Sequence, residues 1–196
     1  MGNDYSIYGD KLSELEKVVQ DMEEHIAKLR KRITEETGMD PVEHCLARIK
    51  TDESMREKCR RLGLPETEES ALKKIFDAIG IRIVCAFLDD VYTIRDYIAS
   101  VAGYTIIREK DYIKNAKPNG YRSYHMILQS ESGIYCEIQL RTISMDTWAA
   151  LEHHMKYKKN ITGNTELIIS ELKRCADELA STDISMQAIK NMIMST

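Results

Sequence analysis

The stretch 117–158, KPNGYRSYHMILQSESGIYCEIQLRTISMDTWAALEHHMKYK, decides how the rest of the chain is read. Lys117-Pro118-Asn119-Gly120 supplies the residues that a tight turn demands, and a strand over about 122–130 is expected to follow it. A second strand around Glu137 completes a hairpin, and a helix is expected over 143–158. Successive strand residues point to opposite faces, so Cys136, Ile138 and Leu140 form an apolar face and leave Glu137, Gln139 and Arg141 on the other. One face is core; the other, with Tyr121 and His125 nearby, carries the chemistry. The chain has no Gly-x-Ser-x-Gly elbow and no hydrolase triad pattern, and Glu137 reads as a metal ligand instead.

Working outward, 81–88 is an apolar, β-branched strand, followed by Asp89-Asp90 capping a helix to about 102 that Gly103 closes. A weaker strand is expected over 104–113. Upstream, Leu12, Leu15, Val18, Val19, Met22, Ile26, Leu29 and Ile33 recur at three- and four-residue steps, which predicts a long amphipathic helix over about 10–35 ending near Gly38. A helix over 52–62, with Asp52 as N-cap, stops at Gly63 and Pro65, and another over 67–79 stops at Gly80. A final helix covers about 165–194. The fold class is α+β (α/β): a mixed sheet flanked by helices, in a single domain over 1–196 with its core at about 40–159. The first and last helices look least tied to the sheet, and their apolar stripes suit pairing between subunits, so an oligomer is expected.

The 196 residues are 43% hydrophobic and 31% charged, ordinary for a globular protein able to bury a core. No apolar run approaches the roughly 18 residues that span a membrane, and no signal-peptide layout opens the chain. Five widely spaced cysteines show no C-x-x-C and no zinc-type spacing with histidine, so they read as reduced thiols in a cytoplasmic protein. A net charge of -4 argues against broad, salt-driven nucleic-acid binding, and charge gives no indication of RNA binding while leaving it open. Yet 48–61 carries Arg48, Lys50, Arg56, Lys58, Arg60 and Arg61 against Asp52, Glu53 and Glu57, a cationic patch suited to a specific anion.

Ser54, Lys58 and Arg61 stand at i, i+4 and i+7, on one helical face, and Arg48 and Lys50 point the same way if their segment is extended. Five such donors suit a polyphosphate; a solvated basic face explains the spacing equally well. Neither a P-loop nor a Rossmann glycine motif is present, so side chains and metal must hold any nucleotide. If the strands bearing them are neighbours, Asp77 and Glu137 can share one Mg²⁺, which is typically held by one or two carboxylates. Taken singly, both are more commonly solvated carboxylates. Tyr121 suits stacking on a base or a half-buried turn position, and His125 alone reads as a structural histidine.

Taken in order, Arg48-Ile49-Lys50, Ser54, Lys58 and Arg61, Asp77-Ala78-Ile79-Gly80-Ile81-Arg82, Gly120-Tyr121-Arg122-Ser123-Tyr124-His125, Glu137-Ile138-Gln139-Leu140-Arg141-Thr142 and Trp148-Ala149-Ala150-Leu151-Glu152-His153 resemble the RelA/SpoT synthetase family. The similarity runs over about 40–159. The size, with no hydrolase domain ahead and no regulatory domains behind, is similar to that of the small alarmone synthetases.

The resemblance implies a nucleotidyltransferase-like fold and a GTP pyrophosphokinase of the stringent response. Such an enzyme moves the β,γ-pyrophosphate of ATP to the 3′-hydroxyl of GTP or GDP, yielding (p)ppGpp and AMP. It implies that Arg48, Lys50, Ser54, Lys58, Arg61 and Arg82 hold the ATP phosphates and that Asp77 and Glu137 bind Mg²⁺, with Glu137 also the general base. It further implies that Tyr121 stacks on guanine, that Lys117 and His125 meet the acceptor's phosphates, that Gln139 and Glu152 orient the acceptor nucleoside, and that the protein is a homo-oligomer, a tetramer in the family. Asp146 stands where some small synthetases have Asn, and Lys110 where some have Arg, which bears on the choice among GTP, GDP and GMP. Two alternatives remain: a pyrophosphokinase acting on an adenine nucleotide or a tRNA 3′ end, and a catalytically silent nucleotide- or RNA-binding regulator.

Overall fold

The computed structural model describes residues 6–157 and 164–195. Leu12–Thr37 forms helix α1, entered through a 3₁₀ turn at Gly9–Lys11 and closed by Gly38, whose φ of 74° is the left-handed C-cap that glycine adopts without strain. Its stripe of Leu15, Val18, Met22, Ile26 and Leu29 is buried. Each such side chain contributes about 1.5–3 kcal/mol through its removal from water. The helix expected to be loosely tied to the sheet is therefore part of the core, because five periodic apolar residues have nowhere else to go.

Val42–Ile49 is strand β1, which the sequence reading left unassigned. Cys45, Ala47 and Ile49 do alternate inward, but an irregularity between Val42 and His44 breaks the period at its start. Asp52–Arg61 is helix α2, and its N-cap is Thr51 rather than Asp52: the Thr51 hydroxyl accepts from the Ser54 N–H at 3.3 Å. Asp52, one residue inside, accepts instead from the Ile7 N–H and from Arg56.

The helix expected over 67–79 is reduced to one π-helical turn, Ser70–Lys74, closed by the Ile75 N–H on the Ser70 carbonyl. Beyond it the chain extends, and Ile79–Cys85 is strand β2, with Gly80 inside the strand instead of ending a helix. The alternation of Ile79, Ile81 and Ile83 into the core overrides local helical preference. Leu88–Ala99 is helix α3, where Asp90 works from the third helical position by accepting from the Phe87 N–H at 3.1 Å. Tyr104–Asp111, Tyr124–Ser130 and Tyr135–Thr142 are strands β3, β4 and β5. Ile143–Tyr157 is helix α4, with the expected last residue, Lys158, outside the described residues. Thr165–Met194 is helix α5, capped by the Asn164 side chain.

The five strands form one mixed sheet in the order β1-β2-β5-β4-β3, antiparallel except for the parallel pair β2 and β5. Ile79, Ile81, Ile83, Met126, Leu128, Cys136, Ile138 and Leu140 supply one face to the core, together with α1 and α3. The opposite face carries the polar residues of β5 foreseen from alternation.

Candidate active site

Register places two rows of side chains across the polar face. Arg48 pairs with Gly80, Gly80 with Glu137, Glu137 with Ile127 and Ile127 with Arg108, so one row crosses all five strands. The adjacent row is Leu46, Arg82, Gln139, His125 and Lys110. With strands about 4.8 Å apart, each row spans on the order of 19 Å, with β5 in the middle; Arg48 and Arg108 end the first row, and Arg82 and Lys110 flank the centre of the second. Glu137 therefore stands between two basic wings.

On the β1 side, Arg48, Lys50, Asp77, Gly80, Arg82, Glu137 and Gln139 line a cleft of about 240 Å³. Asp77 leads into β2, and its Oδ2 receives Lys58 Nζ at 2.6 Å and Lys50 Nζ at 3.1 Å. Burial pushes the Asp77 carboxyl up, but the two lysines outweigh it and hold the group below the usual carboxylate range. Its Oδ1 is buried with no hydrogen-bond partner among the described residues. Arg82 is made less basic than usual by burial and by Arg141 and Arg48. Ser54 and Arg61 are exposed on α2 and do not line this cleft, and the Ser54 side chain is engaged by the Thr51 hydroxyl at 2.9 Å.

Glu137 receives Gln139 Nε2 at 3.0 Å and faces His125 Nδ1 at 3.6 Å. Burial pushes its carboxyl up, whereas His125 and Gln139 more than compensate and keep it below the usual range; the charge of nearby Asp77 acts upward. Two hard carboxylates within each other's field, one with an orphaned oxygen, fit a divalent cation such as Mg²⁺. No group of three or more metal-binding side chains occurs among the described residues, so waters and phosphate oxygens would complete the shell of any such ion.

On the β3 side, Arg108, Lys110, Tyr112, His125, Ile127 and Glu137 line a second cleft. Lys117 Nζ lies over the rings of Tyr112 at 4.7 Å and Tyr121 at 4.6 Å. Arg141 Nη2 donates to the Tyr121 hydroxyl at 3.0 Å, and that hydroxyl lies 2.8 Å from His125 Nε2. With Nδ1 facing the Glu137 carboxylate at 3.6 Å, the tautomer that carries its proton on Nδ1 lets Nε2 accept from the Tyr121 hydroxyl. Arg141 also donates to Gln139 and to Asp146, each at 3.0 Å, and Arg82 stands 3.6 Å from Asp146. Glu152, buried, accepts from Asn119 in the Tyr121 turn at 3.1 Å.

The sequence reading missed Arg108 and Tyr112, although Arg108 and Lys110 alternate with Glu109 and Asp111 along β3, which is the signal that places both cations on one face. Arg141 was foreseen on the polar face but not as the residue linking Tyr121, Gln139 and Asp146.

A mixed sheet with Glu137 between two clefts lined by cations, and Asp77 beside it in one of them, suits two phosphate-bearing ligands side by side. The model of the region found in RelA/SpoT proteins matches residues 47–162. The GTP pyrophosphokinase YwaC of Bacillus subtilis is 37% identical over 163 residues, covering 80% of this chain and 77% of that protein. YjbM, another GTP pyrophosphokinase of the same bacterium, is 31% identical over 183 residues, covering 89% and 84%. The crystal structure of small alarmone synthetase 1 from Bacillus subtilis bound to its product pppGpp superposes with a TM-score of 0.78 at 28% identity, over 91% of this chain and 94% of that one. The same enzyme bound to AMPCPP gives 0.69 at 26%, over 93% and 96%. This chain belongs to the RelA/SpoT family.

Proposed function

We propose that the protein is a (p)ppGpp synthetase that transfers the β,γ-pyrophosphate of ATP to the 3′-hydroxyl of GTP or GDP. The ribose O3′ attacks the β-phosphorus, the bond from that phosphorus to its bridging oxygen breaks, AMP leaves with the electron pair, and the O3′ proton passes to Glu137. Arg48, Lys50 and Arg82 grip the donor phosphates in the cleft beside β1, Lys58 adds its charge from its place on Asp77, and Ser54 and Arg61, exposed on α2 outside that cleft, would meet only a part of the triphosphate that extends beyond it. Tyr121 stacks on guanine, Lys110, Lys117 and His125 meet the acceptor's phosphates, and Gln139, Asp146 and Glu152 orient the nucleoside.

Asp77 and Glu137 are the residues that would hold Mg²⁺, which when bound neutralises charge on the donor phosphates. The observation that carries this reading is the position of Glu137, in mid-sheet between the two basic clefts. Phosphoryl-type transfer depends on positioning and charge neutralisation more than on covalent work by the protein, and this arrangement supplies both. The low carboxyl of Glu137 keeps it ionised, hence a weak base, so proton transfer comes late in the step.

Incubation with γ-labelled ATP, Mg²⁺ and, separately, GTP, GDP, GMP, adenine nucleotides or tRNA, followed by thin-layer separation, tests the reading. Label is expected on a guanosine 3′-pyrophosphate. Label confined to tRNA or adenosine rejects the acceptor, and nucleotide binding without turnover rejects the enzyme.

The homo-oligomer expected from the resemblance would cover the exposed Ile184, Met192 and Ile193 of α5, and a chromatographed mass checks it. A cytoplasmic location accords with five free thiols, and no helix among the described residues is long and apolar enough to cross a membrane.

A further inference from the structure

Helix α5 is 30 residues long, yet Ala176 and Asp183 are its only buried members among the described residues. Ala176 is buried against the turn that presents Tyr121. Gly120 in that turn has a φ of 91°, and a Cβ built there would stand 2.6 Å from the Ala176 Cβ and 3.1 Å from the Lys173 Cα. Backbone cannot yield as a flexible side chain can, so the close approach of α5 leaves room only for glycine.

Arg122 then ties the two together. Its Nη1 donates to the Gly120 carbonyl at 3.2 Å and to the Ala176 carbonyl at 3.4 Å, and its Nη2 donates to Asp177 Oδ1 at 2.9 Å. The Trp148 indole N–H donates to the Leu172 carbonyl of α5 at 2.9 Å, with its ring 6.3 Å from that of Tyr121. The turn is thus held between α4 and α5 one residue either side of Tyr121.

We infer that α5, through Ala176, Asp177 and their grip on Gly120 and Arg122, is a positioning element for the acceptor nucleotide, setting where the Tyr121 ring stands without touching substrate itself. The inference rests on the proposed role of Tyr121 in holding guanine. The donor cleft draws its lining from β1 and Lys50 just after it, β2, β5 and the segment before β2, with no residue of α5. A displaced α5 therefore weakens acceptor binding selectively.

The experiment compares wild type with Ala176→Leu, which pushes the helix away from the turn, and Asp177→Ala, a change at a half-exposed site. Lys173→Ala, which removes the other partner of Asp177, is the control. Ala176→Leu should raise KM for GTP roughly tenfold and Asp177→Ala about threefold, with KM for ATP and kcat at saturating GTP within about twofold of wild type. The Asp177→Arg, Arg122→Asp exchange should recover part of the loss seen in Arg122→Asp alone.

GDP titrations followed by the emission of Trp148, the one tryptophan of the chain, report acceptor binding independently of turnover and should weaken in parallel. An unchanged acceptor KM and Kd in both α5 variants overturns the inference. Equal rises in both substrates' KM together with a lower Tm overturn it too, by showing a merely structural role. Wild-type protein that binds GDP but makes no product contradicts the proposed function alone, and the titration still decides the role of α5.

Discussion

Lys58 Nζ stands 2.6 Å from Asp77 Oδ2, so a helix two elements away in sequence holds the carboxylate that leads into β2. The pair is mostly shielded from solvent, and Lys50 reaches the same oxygen. Lys58→Met leaves a half-satisfied carboxylate and should lower unfolding stability by about 2 kcal/mol, the scale of a lost hydrogen bond to a charged group. Chemical denaturation checks this, and a value within error of wild type would mean that Lys50 alone suffices. The same change should raise KM for ATP while sparing that for GTP.

Gly80 lies between Arg48 and Glu137 in the row across the sheet, and a Cβ added there meets nothing within 4 Å. Its lack of a side chain leaves the donor cleft open and contributes nothing to strand stability. Gly80→Ala should therefore stabilise the fold by about 0.5–1 kcal/mol. Gly80→Val should fill the cleft and reduce kcat/KM for ATP by roughly tenfold or more. A destabilised but fully active Gly80→Val protein would contradict that account.

The Tyr121 ring and its hydroxyl do separable work. Tyr121→Phe keeps the stacking surface but severs the link between Arg141 and His125, so KM for GTP should rise by only a few fold. Tyr121→Ala removes the ring and should cost about 1–3 kcal/mol of acceptor affinity, read by titration with GDP. Equal effects from the two would show that the ring contributes nothing.

Asp183 is buried where α5 meets the start of α4, accepting from the Thr142 hydroxyl at 2.6 Å, and burial raises its carboxyl above the ordinary 3.8 despite Thr142 and Ser144. A carboxyl that binds its proton more readily in the folded than in the unfolded chain opposes folding when ionised, and that penalty disappears as pH falls through the folded value. Asp183→Asn keeps an acceptor for Thr142 and removes the charge. Its Tm should exceed that of wild type near neutral pH, with the gain shrinking on acidification. A gain that grows as pH falls would contradict the sign.

The sheet was legible where alternation ran uninterrupted. Cys136, Ile138 and Leu140 declare one face of β5, and Glu137 and Gln139 the other, by alternation alone. β1 was hidden because an irregularity next to Val42 breaks its period, and 67–79 looked helical because its polar residues have helix propensity that long-range pairing of Ile79 and Gly80 overrides. Asp77 and Glu137 are expected to share one ion if their strands are neighbours, and the parallel pairing of β2 on β5, which no local pattern specifies, sets both in the lining of one cleft. The grip of α5 on Gly120 had no local signal, since it joins residues more than fifty positions apart.

The most direct test of the account is single-turnover transfer from γ-labelled ATP to GTP by Glu137→Gln protein whose folding is verified by circular dichroism. Loss of product by a hundredfold or more, with ATP and GTP binding retained, is the predicted result. Undiminished transfer by the folded variant would remove Glu137 from the chemistry.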